Sequence, residues 1–118
     1  MSSALRVDTR TTPTAAVIEL HGDVSADGDA PIKEAYNAAV DAGSTNVVFN
    51  LAGTDYINTS GISVLISVVM AAKQQGVIVA VAGASPHYRK VFDLVRFSSF
   101  VSMYDDEAAA LEGLVSGS

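Results

Sequence analysis

Cysteine and tryptophan are absent from this 118-residue chain. Without cysteine there is no disulfide framework, no thiolate metal cage and no cysteine nucleophile. Positive charge is scarce: seven Lys and Arg stand against 13 Asp and Glu, a formal net charge of −6. Nucleic-acid binding depends on neutralising phosphates, so an acidic chain without a basic run is badly placed for it. The nearest thing to a basic cluster, Arg89-Lys90 with Arg96 nearby, reads as a helix face. The longest stretch of apolar leaning, Ile62 to Ala72, is far too short to span a bilayer. Met1 to Thr9 lack the apolar core of a secretory signal, so a cytoplasmic protein without membrane insertion is expected. Catalytic spacings are missing as well. His21 and His87 stand far apart, with no H-x-x-x-H or H-E-x-x-H pair. There is no G-x-S-x-G elbow, no G-x-x-x-x-G-K-[ST] phosphate loop and no G-x-G-x-x-G turn. The expectation is a chain with no catalytic residues, no metal and no cofactor, hence not an enzyme.

What is present describes one globular domain. Apolar residues make up 49% and charged ones 17%, the balance of a folded chain rather than a disordered one. Ala4 to Thr9 and Ala15 to His21 are β-rich runs around a turn at Pro13, predicting a hairpin. Pro31 opens a helical stretch to about Ala42, closed by Gly43, with proline early and glycine just past the end. Asn46 to Leu51 is a strand whose Val47-Val48-Phe49 run predicts burial on both faces. A second helix is expected from about Ser60 to Gln75, a buried strand at Val77 to Ala82, and a third helix opened by Ser85-Pro86. A short strand near Phe100 to Tyr104 precedes Asp105-Asp106-Glu107, acidic residues suited to the start of a last helix. The element order is β-β-α-β-α-β-α-β-α, an α/β or α+β layered fold. Residues 1–118 form a single domain with its core at about 5–113 and a flexible tail at 114–118.

The informative segment is Asp55 to Gly61, between a buried strand and the second helix. A loop leaving a strand's C-terminal end and entering a helix is where α/β proteins place ligands, and the helix N-terminus accepts an anion. A phosphate, free or covalent, would be tolerated at Ser60; the plainer alternative is that Thr59 or Ser60 simply caps the helix. At 100° per residue, Ile62, Leu65, Ile66, Val69 and Ala72 fall on one side as a core stripe. Ser60, Ser63, Val64, Ser67, Ala71 and Gln74 fall opposite, and no charged residue lies between Asp55 and Lys73. Solvent-facing helix surfaces are normally charged, so this small uncharged face reads as a docking surface, the plainer alternative being that another part of the chain covers it.

The run Asp55-Tyr56-Ile57-Asn58-Thr59-Ser60-Gly61-Ile62 resembles the signature of the STAS domain, the fold of anti-sigma factor antagonists. Leu20-His21-Gly22-Asp23-Val24 resembles the family's L-x-G-E/D-L element, and Ser85-Pro86 through Phe92 to Leu94 its third-helix element. The similarity extends over residues 5–113 in order and spacing. It implies a mixed β-sheet with helices covering one side, and a partner-switching function. In this family the unphosphorylated antagonist binds a serine-kinase anti-sigma factor and releases the sigma factor. Phosphorylation at the start of the second helix ends binding, and a metal-dependent serine phosphatase restores it. The resemblance puts the phosphoacceptor at Ser60, with Thr59 its neighbour. It puts the partner-binding surface at Asp23, Ser25, Asn58, Thr59, Ser63, Val64 and Ser67. The chain departs from the family at two of these positions: Asn58 and Ser25 stand where an acidic residue is often found. Asp27 or Asp29 could compensate. Alternative roles for the same fold are a scaffold subunit of a stress-signalling assembly, a transporter-associated regulator, or a small-ligand sensor.

Overall fold

The apolar runs expected to be buried on both faces become the middle of one five-stranded sheet. A computed structural model describes residues 4–116. Its strands are β1 (Arg6–Thr11), β2 (Ala16–Val24), β3 (Asn46–Ile57), β4 (Ile78–Ala82) and β5 (Ser102–Tyr104). They lie side by side in chain order, β1 antiparallel to β2 and the remaining pairs parallel. The helices are α1 (Asp29–Asp41), α2 (Thr59–Gln75), α3 (Pro86–Leu94) and α4 (Glu107–Ser116), with short 3₁₀ turns at Ala26–Gly28 and Phe97–Ser99. The mixed sheet and the element order are those expected.

Alternation along the central strands decides which helix meets which face. Ile18, Leu20, Val47, Phe49, Val79 and Val81 point to one side and meet Ile32 and Tyr36 of α1, Leu65 and Val68 of α2, and Phe92 of α3. Val17, Val48, Ala80 and Ala82 point to the other and meet Ala110 and Leu114 of α4. The expected one-sided cover therefore holds for α1, α2 and α3 and is corrected for α4. A strand apolar on both sides needs cover on both, and among the described residues α4 is the remaining element that supplies it. The expected tail is corrected too. Residues 114 to 116 belong to α4, where Leu114 is buried, while residues 117 and 118 lie outside the described part of the chain.

Caps follow the sequence. The Ser85 hydroxyl accepts the Tyr88 N–H ahead of α3, with Pro86 as the first helical residue. Asp106 Oδ1 accepts the Ala109 N–H at 2.8 Å at the start of α4. The same end of α4 is tied to the sheet by Glu107, whose carboxylate accepts from Arg10 on β1 and from Asn50 on β3. The bond from Arg10 holds the Glu107 carboxyl below the usual carboxylate range, helped by Asn50 and opposed by partial burial. A depressed folded-state pKa stabilises the protein above the unfolded value, about 4.3 for Glu, and the contribution is lost as pH falls through the folded value. Glu107→Gln is accordingly expected to melt below wild type near neutral pH, the two melts converging in acid; thermal unfolding across a pH series checks this. No helix among the described residues is long and apolar enough to cross a membrane.

Candidate functional site

The strand expected to stop at Leu51 runs on to Ile57. β3 pairs with β4 only over Asn46 to Asn50, but with β2 up to Val24 opposite Ile57. Register shifts after Glu19 and after Gly22 let the two strands twist together beyond the rest of the sheet. At Gly53 the His21 ring packs over the backbone: a Cβ there would lie 2.3 Å from His21 Nδ1, so a larger residue would turn that ring aside. The product is a two-stranded ribbon that ends at Val24 and Ile57, directly before the turn at Ala26–Gly28 and before α2. His21 lies at its base, opposite Arg6 of β1, beside Asp8 (3.4 Å) and Glu19 (3.7 Å).

Four backbone-directed bonds fix the start of α2. The Asn58 N–H donates to the Val24 carbonyl at 3.1 Å, and the Ile57 N–H donates to the Tyr88 hydroxyl at 2.9 Å. Asn58 Oδ1 accepts the Gly61 N–H at 2.8 Å, while its carbonyl accepts the Ile62 N–H. Asn58 is thus the N-cap, which settles the alternatives left open for Thr59 and Ser60. Thr59 and Ser60 are the first two helical residues, and both are exposed. A cap needs only a side-chain oxygen, so Asn does here what an acidic residue at this position would also do. Asn58→Ala is expected to cost about 1 kcal/mol and Asn58→Asp nothing, since a negative charge is welcome at a helix N-terminus. Urea unfolding of the two variants reads the difference.

From Ser60 the outward face of α2 carries two ridges. Thr59, Ser63 and Ser67 form one, all exposed; Ile62 and Ile66, half-buried, and exposed Met70 form the other. The Ser63 hydroxyl bonds back to the Thr59 carbonyl at 3.1 Å. Val64 does not belong to this surface. It is buried in the same cluster as Ile32 and Tyr36 of α1, because α2 packs against α1 and the Ala26–Gly28 turn as well as the sheet. The fully buried arc of α2 is therefore Gly61, Val64, Leu65, Val68, Val69 and Ala72, rotated from the expected stripe so that Ile62 and Ile66 pack against the core from its half-buried border. The face is more apolar than its serines implied, and the i, i+4, i+8 spacing of Ile62, Ile66 and Met70 was the signal for it.

Asp23, Ser25 and Asn58 come together as expected. They line a groove of about 570 Å³ with Leu5, Asp27, Pro31 and Tyr56. Tyr56 is more than half exposed at its edge, a position that hydropathy alone would not have singled out. Asp27 is in the groove, so a carboxylate is supplied beside Ser25. Asp29 instead pairs with Lys33 at 2.8 Å. No Lys or Arg lines this groove. Among the described residues no group of three or more His, Asp and Glu is placed to hold a metal.

A family model described as the STAS domain matches residues 6–110. An anti-sigma factor antagonist from Mycobacterium paratuberculosis superposes with a TM-score of 0.82 at 14% identity, covering 95% of each chain. The Bacillus cell fate determinant SpoIIAA in its phosphorylated form gives 0.69 at 20% identity, over 92% of this chain and 97% of that one. A sulfate transporter family protein from Wolinella succinogenes gives 0.74 at 14% identity, over 84% and 83%. At these identities the structural likeness is one of fold. No curated protein matches the sequence.

Proposed function

Because this chain belongs to the STAS domain family, we propose that it is a non-enzymatic, cytoplasmic partner-switching protein of the anti-sigma factor antagonist kind. Its unphosphorylated form binds a serine-kinase anti-sigma factor through the outer ridges of α2 and the adjoining groove, releasing a sigma factor. Phosphorylation of Ser60 ends that binding, and a metal-dependent serine phosphatase reverses it. The observation that carries the reading is the division of labour at the helix start. Asn58 takes the capping bond, which leaves the exposed Ser60 hydroxyl outside the cap at the second helical position. A phosphate there adds about −1.5 to −2 charges at a site where amides and helix dipole tolerate it. The fold keeps its shape; the partner meets a dianion where it met an uncharged face.

The experiment is phosphosite mapping: the purified chain and a Ser60→Ala control are incubated with ATP and lysate from the source cells, then analysed by peptide mass spectrometry. Phosphate on Ser60, absent from the control, supports the switch. Phosphate on Thr59 moves the acceptor by one residue. Phosphate at neither, with the kinase shown active on another substrate, turns the reading toward a constitutive scaffold or a transporter-associated regulator, the role to which the likeness to the Wolinella protein would point.

A further inference from the structure

Four of the seven cations but only one of the 13 carboxylates lie between residues 56 and 104, in a chain of net charge −6. Arg6, Arg10, Lys33 and Arg89 are all ion-paired. Lys73, Lys90 and Arg96 have no carboxylate partner among the described residues, and the lone acid of this stretch, Asp93, accepts the Ser98 hydroxyl at 2.5 Å. Two of these cations adjoin unspent apolar surface: Lys73 directly, and Arg96 through its carbonyl, which accepts the Ser99 N–H at 3.2 Å beside the same groove. Lys73 lines a groove of about 350 Å³ with Val69, Val77, Ile78 and Phe100, its Nζ 5.0 Å from the centre of the Phe100 ring. Ile78 is 51% exposed and Phe100 43%, while Leu94, one turn beyond Lys90 on α3, is 77% exposed. Lys73 is 13 residues along α2 from Ser60, about 20 Å at the helical rise, so this is the other end of the molecule.

We propose that this end is a second docking surface, which takes an acidic amphipathic segment of a protein partner. Apolar side chains of that segment enter the groove between Ile78 and Phe100, and its carboxylates meet Lys73 and Arg96. The charge pattern selects a segment over an anionic bilayer. At physiological salt, exposed charges act over about 8 Å. A peptide in the groove meets the local positive field, whereas a bilayer surface would also face the remaining acidic chain. The concave shape fits an inserted side chain better than a flat interface. The proposal is independent of the switch at Ser60.

The test is selection of a random dodecapeptide phage library on the full chain, with counter-selection on Lys73→Glu, a change at an exposed position whose folding is confirmed by its thermal melt. Recovered sequences that combine Asp or Glu with Leu, Ile or Phe are expected. As synthetic peptides they should bind Lys73→Glu about tenfold or more weakly than wild type, because a like charge then faces the peptide. Arg96→Glu, outside the groove lining, should weaken them in the same direction, and Ser60→Asp should leave their binding unchanged. Recovered peptides without acidic bias, no peptide that discriminates the variant, or sedimentation of the chain with phosphatidylglycerol vesicles lost in Lys73→Glu would each overturn the proposal.

Discussion

Gly61→Ala is expected to lower the melting temperature by about 10 °C or more, taking overpacking at the upper end of its usual 1–3 kcal/mol. A Cβ at this position would lie 2.2 Å from the Val24 carbonyl oxygen and 2.7 Å from its carbon, and 3.1 Å from Ile57 Cγ2. The first two are backbone atoms at the end of β2, so no rotamer change relieves the clash. α2 would have to lift off the ribbon, which breaks the 3.1 Å bond from the Asn58 N–H to the same carbonyl. Alanine's better helix propensity, worth about 1 kcal/mol over glycine, offsets only part of this. Gly76, the left-handed residue after α2 at φ 71°, is the useful contrast. A Cβ there meets nothing within 4 Å, so its replacement by Ala carries only the conformational cost, of order 1 kcal/mol. Circular-dichroism melts of the two variants compare them directly. A wild-type melt for Gly61→Ala would mean that α2 does not sit against the Val24 carbonyl.

Ser60→Asp should separate folding from binding. Alone, the variant should melt at or slightly above wild type, since an acidic side chain in a first helical turn contributes about 0.3–1 kcal/mol. Toward the partner it should lose about 100-fold or more in affinity, because a carboxylate buried against an uncharged ridge without a counter-charge costs about 3 kcal/mol or more. Ser60→Ala should bind within a few-fold of wild type and be insensitive to ATP and kinase. Calorimetric titration of each variant into the captured kinase gives the affinities. An Asp variant that binds as tightly as Ala would remove Ser60 from the interface, whatever the phosphate mapping shows.

Most of the architecture was legible because its signals are local. Proline and glycine punctuation located α1 and the end of α2, Ser85-Pro86 started α3, and β-branched runs marked β3 and β4. What escaped depended on neighbours distant in sequence. Residues 52–55, Ala-Gly-Thr-Asp, have weak strand character of their own, so the expected strand ends at Leu51; they are extended because β2 runs beside them through two register shifts. Val64 faces inward because α1 and the Ala26–Gly28 turn widen the buried arc of α2, something a single helical wheel cannot reveal. The side of the sheet taken by α4 is likewise a property of the whole layer. At the site, Asp23, Ser25 and Asn58 are together in the resemblance and together in the fold, while Ile62 and Ile66, on the expected core stripe, stand half-buried at its border. The cap was located to within a residue or two, since Asn, Thr and Ser in succession all qualify and only geometry chooses.

The tie between Arg10 and Glu107 also sets an order of events during synthesis. Strands laid down in chain order can join the sheet as each emerges, beginning with the hairpin of β1 and β2. The alanine-lined face over β4 has no cover until the final helix is made, and its anchor returns across the sheet to the very first strand. A nascent chain with β5 released from the ribosome but residue 107 onward still inside it would hold a nearly finished sheet with one apolar face bare, so a pause at that point should be more harmful than one before the sheet has formed.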